Sequence, residues 1–148
     1  MITVRHVGIV VSDMDKSLWF YRDLIGLHDA EVASESGPFL DGLLAMKNTE
    51  IRTAKLATDG PTLIELLAFD SPQTTAATPL NAIGPTHVAL SVENLDRLYT
   101  RLCEAGIRFN APPSLSPDGG AKVAFCRDPD GTYIELVEPQ EPAGGLKA

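Results

Sequence analysis

Only two cysteines, Cys103 and Cys126, occur among the 148 residues. They are too few for a disulfide framework and too far apart for a redox pair, so both are expected to be reduced, packed thiols. Long hydrophobic runs are missing too: the apolar stretches are strand-sized, short of the roughly 20 residues needed to cross a bilayer. The first residues lack a basic start, an apolar middle and a small-residue cleavage site, so a cytoplasmic location without a membrane partner is expected. Positive charge is scarce, with 12 basic against 20 acidic residues and a formal net charge of −8. No stretch gathers enough Lys and Arg to offset a phosphate backbone, which excludes nucleic acid as an expected partner. What is present is ordinary globular material, 44% hydrophobic and 22% charged. The length suits one compact domain, or two small modules sharing a core, without metal or disulfide staples.

An internal repeat organises the chain. His6 to Lys16 (HVGIVVSDMDK) aligns without gaps with His87 to Arg97 (HVALSVENLDR), and Asp59 to Leu67 matches Asp130 to Val137 with one residue inserted. Val7 to Val11 and Val88 to Val92 read as strands, followed by Asp13 and Asn94 as helix N-caps. Met14, Leu18, Tyr21 and Leu24 or Ile25 before Gly26, and Leu95, Leu98, Tyr99 and Leu102 before Gly106, have the spacing of a helix with one buried face and a glycine stop. Further strands are expected at Leu27 to Ala33, Ile51 to Thr58 and Leu63 to Ala68, and again at Ile107 to Asn110, Ala121 to Cys126 and Tyr133 to Glu138. The fold class is therefore α+β: two βαβββ modules with helices outside a cupped mixed sheet. The first module is placed at residues 1–69, a linker at 70–85, the second module at 86–139 and a flexible tail at 140–148.

Strand parity selects the chemistry. Alternate residues face opposite sides, so Val7, Ile9 and Val11 belong under the helix while His6 faces away from it, and His87 does the same in the second copy. The same count sends Glu65 and Glu135 to the histidine side. A carboxylate buried there without a partner costs several kcal/mol, on the order of the price of any isolated buried charge. Two imidazoles and two carboxylates around one divalent cation solve that problem and leave two octahedral positions open for substrate oxygens. Taken singly, a strand-start His or a strand Glu is commonly structural or solvated; matched parity in two copies makes the set informative.

With these residues, and with the Asp128-Pro129-Asp130-Gly131-Thr132-Tyr133-Ile134-Glu135-Leu136 stretch, the chain resembles the vicinal oxygen chelate superfamily from about His6 to Glu138. This superfamily includes glyoxalases, epimerases, extradiol dioxygenases and fosfomycin-resistance proteins. The resemblance implies metal ligation by His6, Glu65, His87 and Glu135. Bacterial glyoxalase I typically carries an Arg four residues after the first His and an Asn four after the first Glu, both gripping glutathione; here these positions hold Val10 and Phe69, which speaks against a glutathione substrate. Methylmalonyl-CoA epimerase is similar through Gly120 to Phe125, although it often has Gln where Glu65 stands. Extradiol enzymes do not ligate through the first-module Glu.

The expected activity is proton transfer next to a carbonyl in a small, oxygen-chelating substrate, by a glyoxalase-like isomerase or lyase or by an epimerase. Glu65 or Glu135 would be the catalytic base. The cofactor would be one divalent ion per site (Ni, Co, Mn, Fe, Zn or Mg). Alternatives are an extradiol-type dioxygenase and a metal-independent small-molecule or drug binder. A homodimer is expected, with modules paired within one chain or swapped between chains. Glu50, Arg52, Lys122 and Tyr133 are further cleft candidates. His28 is expected to be exposed, Asp128, Asp130 and Gly131 to form a turn, and Trp19 and Phe20 to belong to core or interface.

Overall fold

The computed structural model describes residues 1–71, 73 and 78–141. The expected tail at 140–148 lies outside the described residues from 142 onward, as do residues 72 and 74–77 of the expected linker. The chain divides into two compact units, Met1–Ala76 and Ala77–Ala148. In the first, β1 (His6–Val10), α1 (Met14–Leu18), β2 (His28–Ser36), α2 (Pro38–Leu44), β3 (Glu50–Ala57) and β4 (Leu63–Phe69) give a four-stranded sheet in the order β1-β4-β3-β2. In the second, β5 (His87–Ser91), α3 (Leu95–Glu104), β6 (Ser114–Leu115), β7 (Ala121–Arg127) and β8 (Tyr133–Pro139) form the order β5-β8-β7-β6. Each sheet is mixed: its first strand runs parallel to its last, and the remaining pairs are antiparallel.

Local chemistry explains the repeated start. The Asp13 carboxylate accepts the backbone N–H of Lys16 at 3.1 Å, and the Asn94 side-chain oxygen accepts that of Arg97 at 3.0 Å. Each satisfies a donor that the helix cannot satisfy itself. The helix after Asp13 widens into a π-helical segment, Trp19–Ile25, before Gly26 closes it at φ +99°. That positive φ suits a residue without a Cβ. Met14, Leu18, Phe20 and Tyr21 are buried, with Ile9 and Val11 of the β1 segment and Leu56, Ile64 and Leu66 of the sheet. In the second unit Leu95, Leu102, Ala124, Cys126, Ile134 and Leu136 form the core.

Two features differ from expectation. The segment Ile107 to Asn110 is not a strand: Phe109 makes an isolated bridge to Cys126, and regular pairing with β7 waits until Ser114 and Leu115. Ala111-Pro112-Pro113 intervenes, and neither proline has an N–H to give to a ladder. The first unit also gains α2, which starts with a proline in its first turn and anchors Leu40 in the core. Asp41 secures the connection after it by accepting the N–H groups of Thr49 and Asn48 at 2.8 and 3.1 Å. Those bonds, Thr49 first, hold its carboxyl below the usual carboxylate range.

The thiols separate. Cys126 is buried, and desolvation pushes its pKa up to about 12; Cys103 is exposed, which corrects the expectation that both are packed. At pH 8 a thiol reagent is expected to titrate one cysteine per native chain and two after denaturation, because only the thiolate attacks. Two fast-reacting thiols in the native chain would contradict the packing of Cys126. Among the described residues no helix is long and apolar enough to cross a membrane.

Candidate metal centre

In the first unit the parallel register places Gly8 opposite Glu65 and His6 opposite Leu63, so His6 stands one same-face step from Glu65 on the neighbouring strand. Its Nε2 lies 3.1 Å from Glu65 Oε2, with the side chains 42% and 13% exposed. Gly8 fits this arrangement closely: a Cβ there would meet Leu67 Cδ1 at 3.3 Å. The second unit repeats the register, with His87 opposite Tyr133 and Ala89 opposite Glu135. His87 Nε2 lies 3.2 Å from Glu135 Oε2, with exposures of 37% and 23%. The structure thus pairs His6 with Glu65 and His87 with Glu135. Within neither unit does a third His, Cys, Asp or Glu join the pair among the described residues.

Each pair suits a divalent ion. Two ligand atoms at about 2.1 Å on adjacent octahedral positions are about 3.0 Å apart, close to both N···O separations. The carboxylates are largely withdrawn from water and the imidazoles are their cation-capable neighbours, so a metal would take up the close N···O contact already spanning the same gap. His87 has additional support: Thr86 Oγ1 lies 3.0 Å from its Nδ1, and the Phe125 ring meets it edge-on with centroids 5.3 Å apart. A hydroxyl on Nδ1 fixes the ring and leaves Nε2 available as a ligand.

The other candidates fall on both sides of the sheets. Arg52 shares the face of Ala54 and Leu56, opposite to that of Glu65, and reaches Asp15 of α1 at 3.6 Å. Glu50 has the same parity. Lys122 lies opposite Glu138 on the α3 side and donates to Asp96 at 2.6 Å, which holds its ammonium above the usual lysine range. These three therefore do not share the face of their unit's His–Glu pair; alternation had to be counted from the glutamates to see it. Tyr133 does share it. His28 is exposed and pairs with Asp59 at 2.9 Å. Asp128 Oδ1 accepts the N–H groups of Asp130 and Thr132, both at 2.9 Å, and Gly131 follows at φ +90°, as a turn requires.

Residue-by-residue reading missed Lys55 and Arg127. Antiparallel partners point to one face, so the register Lys55↔Glu65 and Phe125↔Glu135 puts Lys55 and Phe125 beside the two glutamates. Arg127 is opposite Tyr133, one same-face step from Phe125. Its Nη2 donates to Tyr133 Oη at 2.6 Å while the guanidinium carbon lies 4.7 Å from the ring centroid. The signal was available in the hairpin turns, because a turn length fixes which residues meet across it.

The family model described as Glyoxalase/Bleomycin resistance protein/Dioxygenase superfamily matches residues 3–136. The uncharacterized protein YwkD of Bacillus subtilis (strain 168) is 30% identical over 136 residues, covering 92% of this chain and 96% of that protein. A 2-epi-5-epi-valiolone epimerase from Actinomyces sp is 27% identical over 151 residues, covering 97% and 81%. Among solved structures, a glyoxalase family protein from Bacillus cereus superposes with a TM-score of 0.85 at 27% identity, covering 95% of this chain and 96% of that one.

Proposed function

The chain belongs to the Glyoxalase/Bleomycin resistance protein/Dioxygenase superfamily, and from that premise we propose that it is a metal-dependent enzyme moving a proton at a carbon next to a carbonyl. His6, Glu65, His87 and Glu135 are the proposed ligands of one divalent ion, and the substrate is a small molecule with vicinal oxygens. The observation that carries this reading is the repeated His–Glu pair, at 3.1 and 3.2 Å, in the same strand register of both units. Brought to one dication, two such half-sets of N and O donors would balance its charge through their two carboxylates.

When bound, the ion would supply Lewis acidity, holding neighbouring substrate oxygens and stabilising charge on the carbonyl oxygen as the α-proton leaves. The chain's own residues do the rest. Glu65 or Glu135 takes the proton at a carboxylate oxygen, and the other glutamate returns it. Return to the neighbouring carbon gives isomerisation; return to the opposite face of the same carbon gives epimerisation. His6 and His87 orient the carboxylates, and Thr86 orients His87. Val10 and Phe69 offer no charge or amide to a glutathione moiety, so the proposed substrate is not a glutathione adduct. The assembly proposed with this activity is a cytoplasmic homodimer, with residues 1–69 and 86–139 as its catalytic modules.

Dialysed protein titrated calorimetrically with Ni2+, Co2+, Mn2+ and Zn2+ is expected to bind one ion per chain. The loaded protein is expected to wash solvent deuterium into the α-carbon of a small α-hydroxycarbonyl or acyl-thioester compound. Absence of stoichiometric metal binding would favour a metal-independent binder. Oxygen uptake with catechols and no deuterium wash-in would favour the ring-cleaving alternative.

A further inference from the structure

We propose that Arg127, held on the ring of Tyr133, is an oxyanion-binding residue, and that the substrate of the site carries a carboxylate or phosphate in addition to its chelating oxygens; this rests on the reading of the His87–Glu135 face as the reactive one. The sheet positions set up the arrangement. At one end of the second sheet, His87, Tyr133 and Arg127 occupy a single row across β5, β8 and β7, and Ala89, Glu135 and Phe125 form the next row on the same face. The outer members of such a row are about 10 Å apart, two interstrand spacings. A small molecule engaged at the His87–Glu135 pair therefore has Arg127 within reach of a second functional group.

Charge accounting separates this guanidinium from comparable cations. On the opposite, helix-facing sides of the two sheets, Arg52 is paired with Asp15 and Lys122 with Asp96. Arg127 is half-buried, and among the described residues its side chain is held by a phenol and an aromatic face, with no carboxylate within ion-pair distance. In a chain with 20 acidic residues and a net charge of −8, a partly desolvated cation without a counter-anion is unusual. Stacking and one hydrogen bond fix the plane of the guanidinium and leave further N–H donors for a bidentate oxyanion. The first unit has no cation in the equivalent row, where Ala57 is opposite Leu63; its Lys55, opposite Glu65 in the next row, is exposed rather than half-buried. Arg127 therefore breaks the near-symmetry of the two His–Glu pairs and gives the substrate a direction.

Two hydroxamates test this, because both chelate a metal through vicinal oxygens and only one bears a carboxylate. In calorimetry on the Ni2+-loaded chain, succinic acid monohydroxamate is expected to bind about 10- to 100-fold more tightly than acetohydroxamate, the range of one charge-assisted pair. Arg127→Gln is expected to erase that preference while acetohydroxamate binding is unchanged, and Arg127→Lys to retain part of it. Equal affinities in the unaltered chain, or an equal loss of both ligands in Arg127→Gln, would overturn the assignment. A metal-free arm keeps the proposal separate from the metal reading. Inorganic phosphate should shift the Arg127 Nε–H resonance in the apo chain even if no hydroxamate ever binds. If phosphate leaves that resonance in place, Arg127 is not an oxyanion site.

Discussion

Glu135→Gln is expected to lower α-proton exchange by about 10²- to 10⁴-fold, the usual contribution of a positioned general base, while the chain remains folded. The replacement preserves volume and one hydrogen-bond acceptor but removes both the basicity and the negative charge. Glu135 sits on a central strand between Ala89 and Phe125, neither of which can accept a proton through its side chain. Glu65→Gln provides the discriminating comparison, since its carboxylate has the same relation to His6 that Glu135 has to His87. Calorimetry and deuterium wash-in on the two variants separate the roles. The variant that keeps most of its Ni2+ affinity while losing exchange identifies the base; the variant that loses Ni2+ binding and exchange together identifies a glutamate required as a ligand. Unchanged exchange in both variants would refute the proposed mechanism.

The shared face of each histidine and its glutamate was legible in the chain itself, because it depends on two rules that need no long-range knowledge. Alternation fixes which face a strand residue takes, and a repeat requires the same answer twice. Asp13 and Asn94 as caps, and Gly26 and Gly106 at φ +99° and +86°, were equally local. What escaped depended on other physics. A seven-residue helix such as α2 is too short to display a period, and its stability comes from Leu40 in the core and the Asp41 bonds rather than from propensity. The strand expected at Ile107 to Asn110 had the right composition but was cut short by Pro112 and Pro113. Arg52 and Lys122 were grouped with the cleft although parity put them on the helix side, while Lys55 and Arg127 become visible only when β3 is registered on β4 and β7 on β8.

The neighbouring aromatics Trp19 and Phe20 supply the second large effect, because expectation treated them alike and the structure does not. Phe20 is 0% exposed and packs edge-to-face on Tyr21 with centroids 4.8 Å apart, whereas Trp19 is 40% exposed. Phe20→Ala removes a ring from a site closed by Tyr21 and leaves a cavity that a surrounding helix and sheet can only partly collapse. The expected cost is about 3–5 kcal/mol, or a fall in Tm of roughly 6–20 °C for a chain of this size. Trp19→Ala is expected to cost under about 1 kcal/mol in the isolated chain, since much of that indole already meets water. Urea melts of both variants against the unaltered protein give the comparison directly. A small effect for Phe20→Ala would mean that the π-helical segment does not hold Phe20 in the core. A large, concentration-dependent effect for Trp19→Ala would instead place its indole in a contact between two copies of the chain, which is where a homodimer would make an exposed aromatic costly to lose.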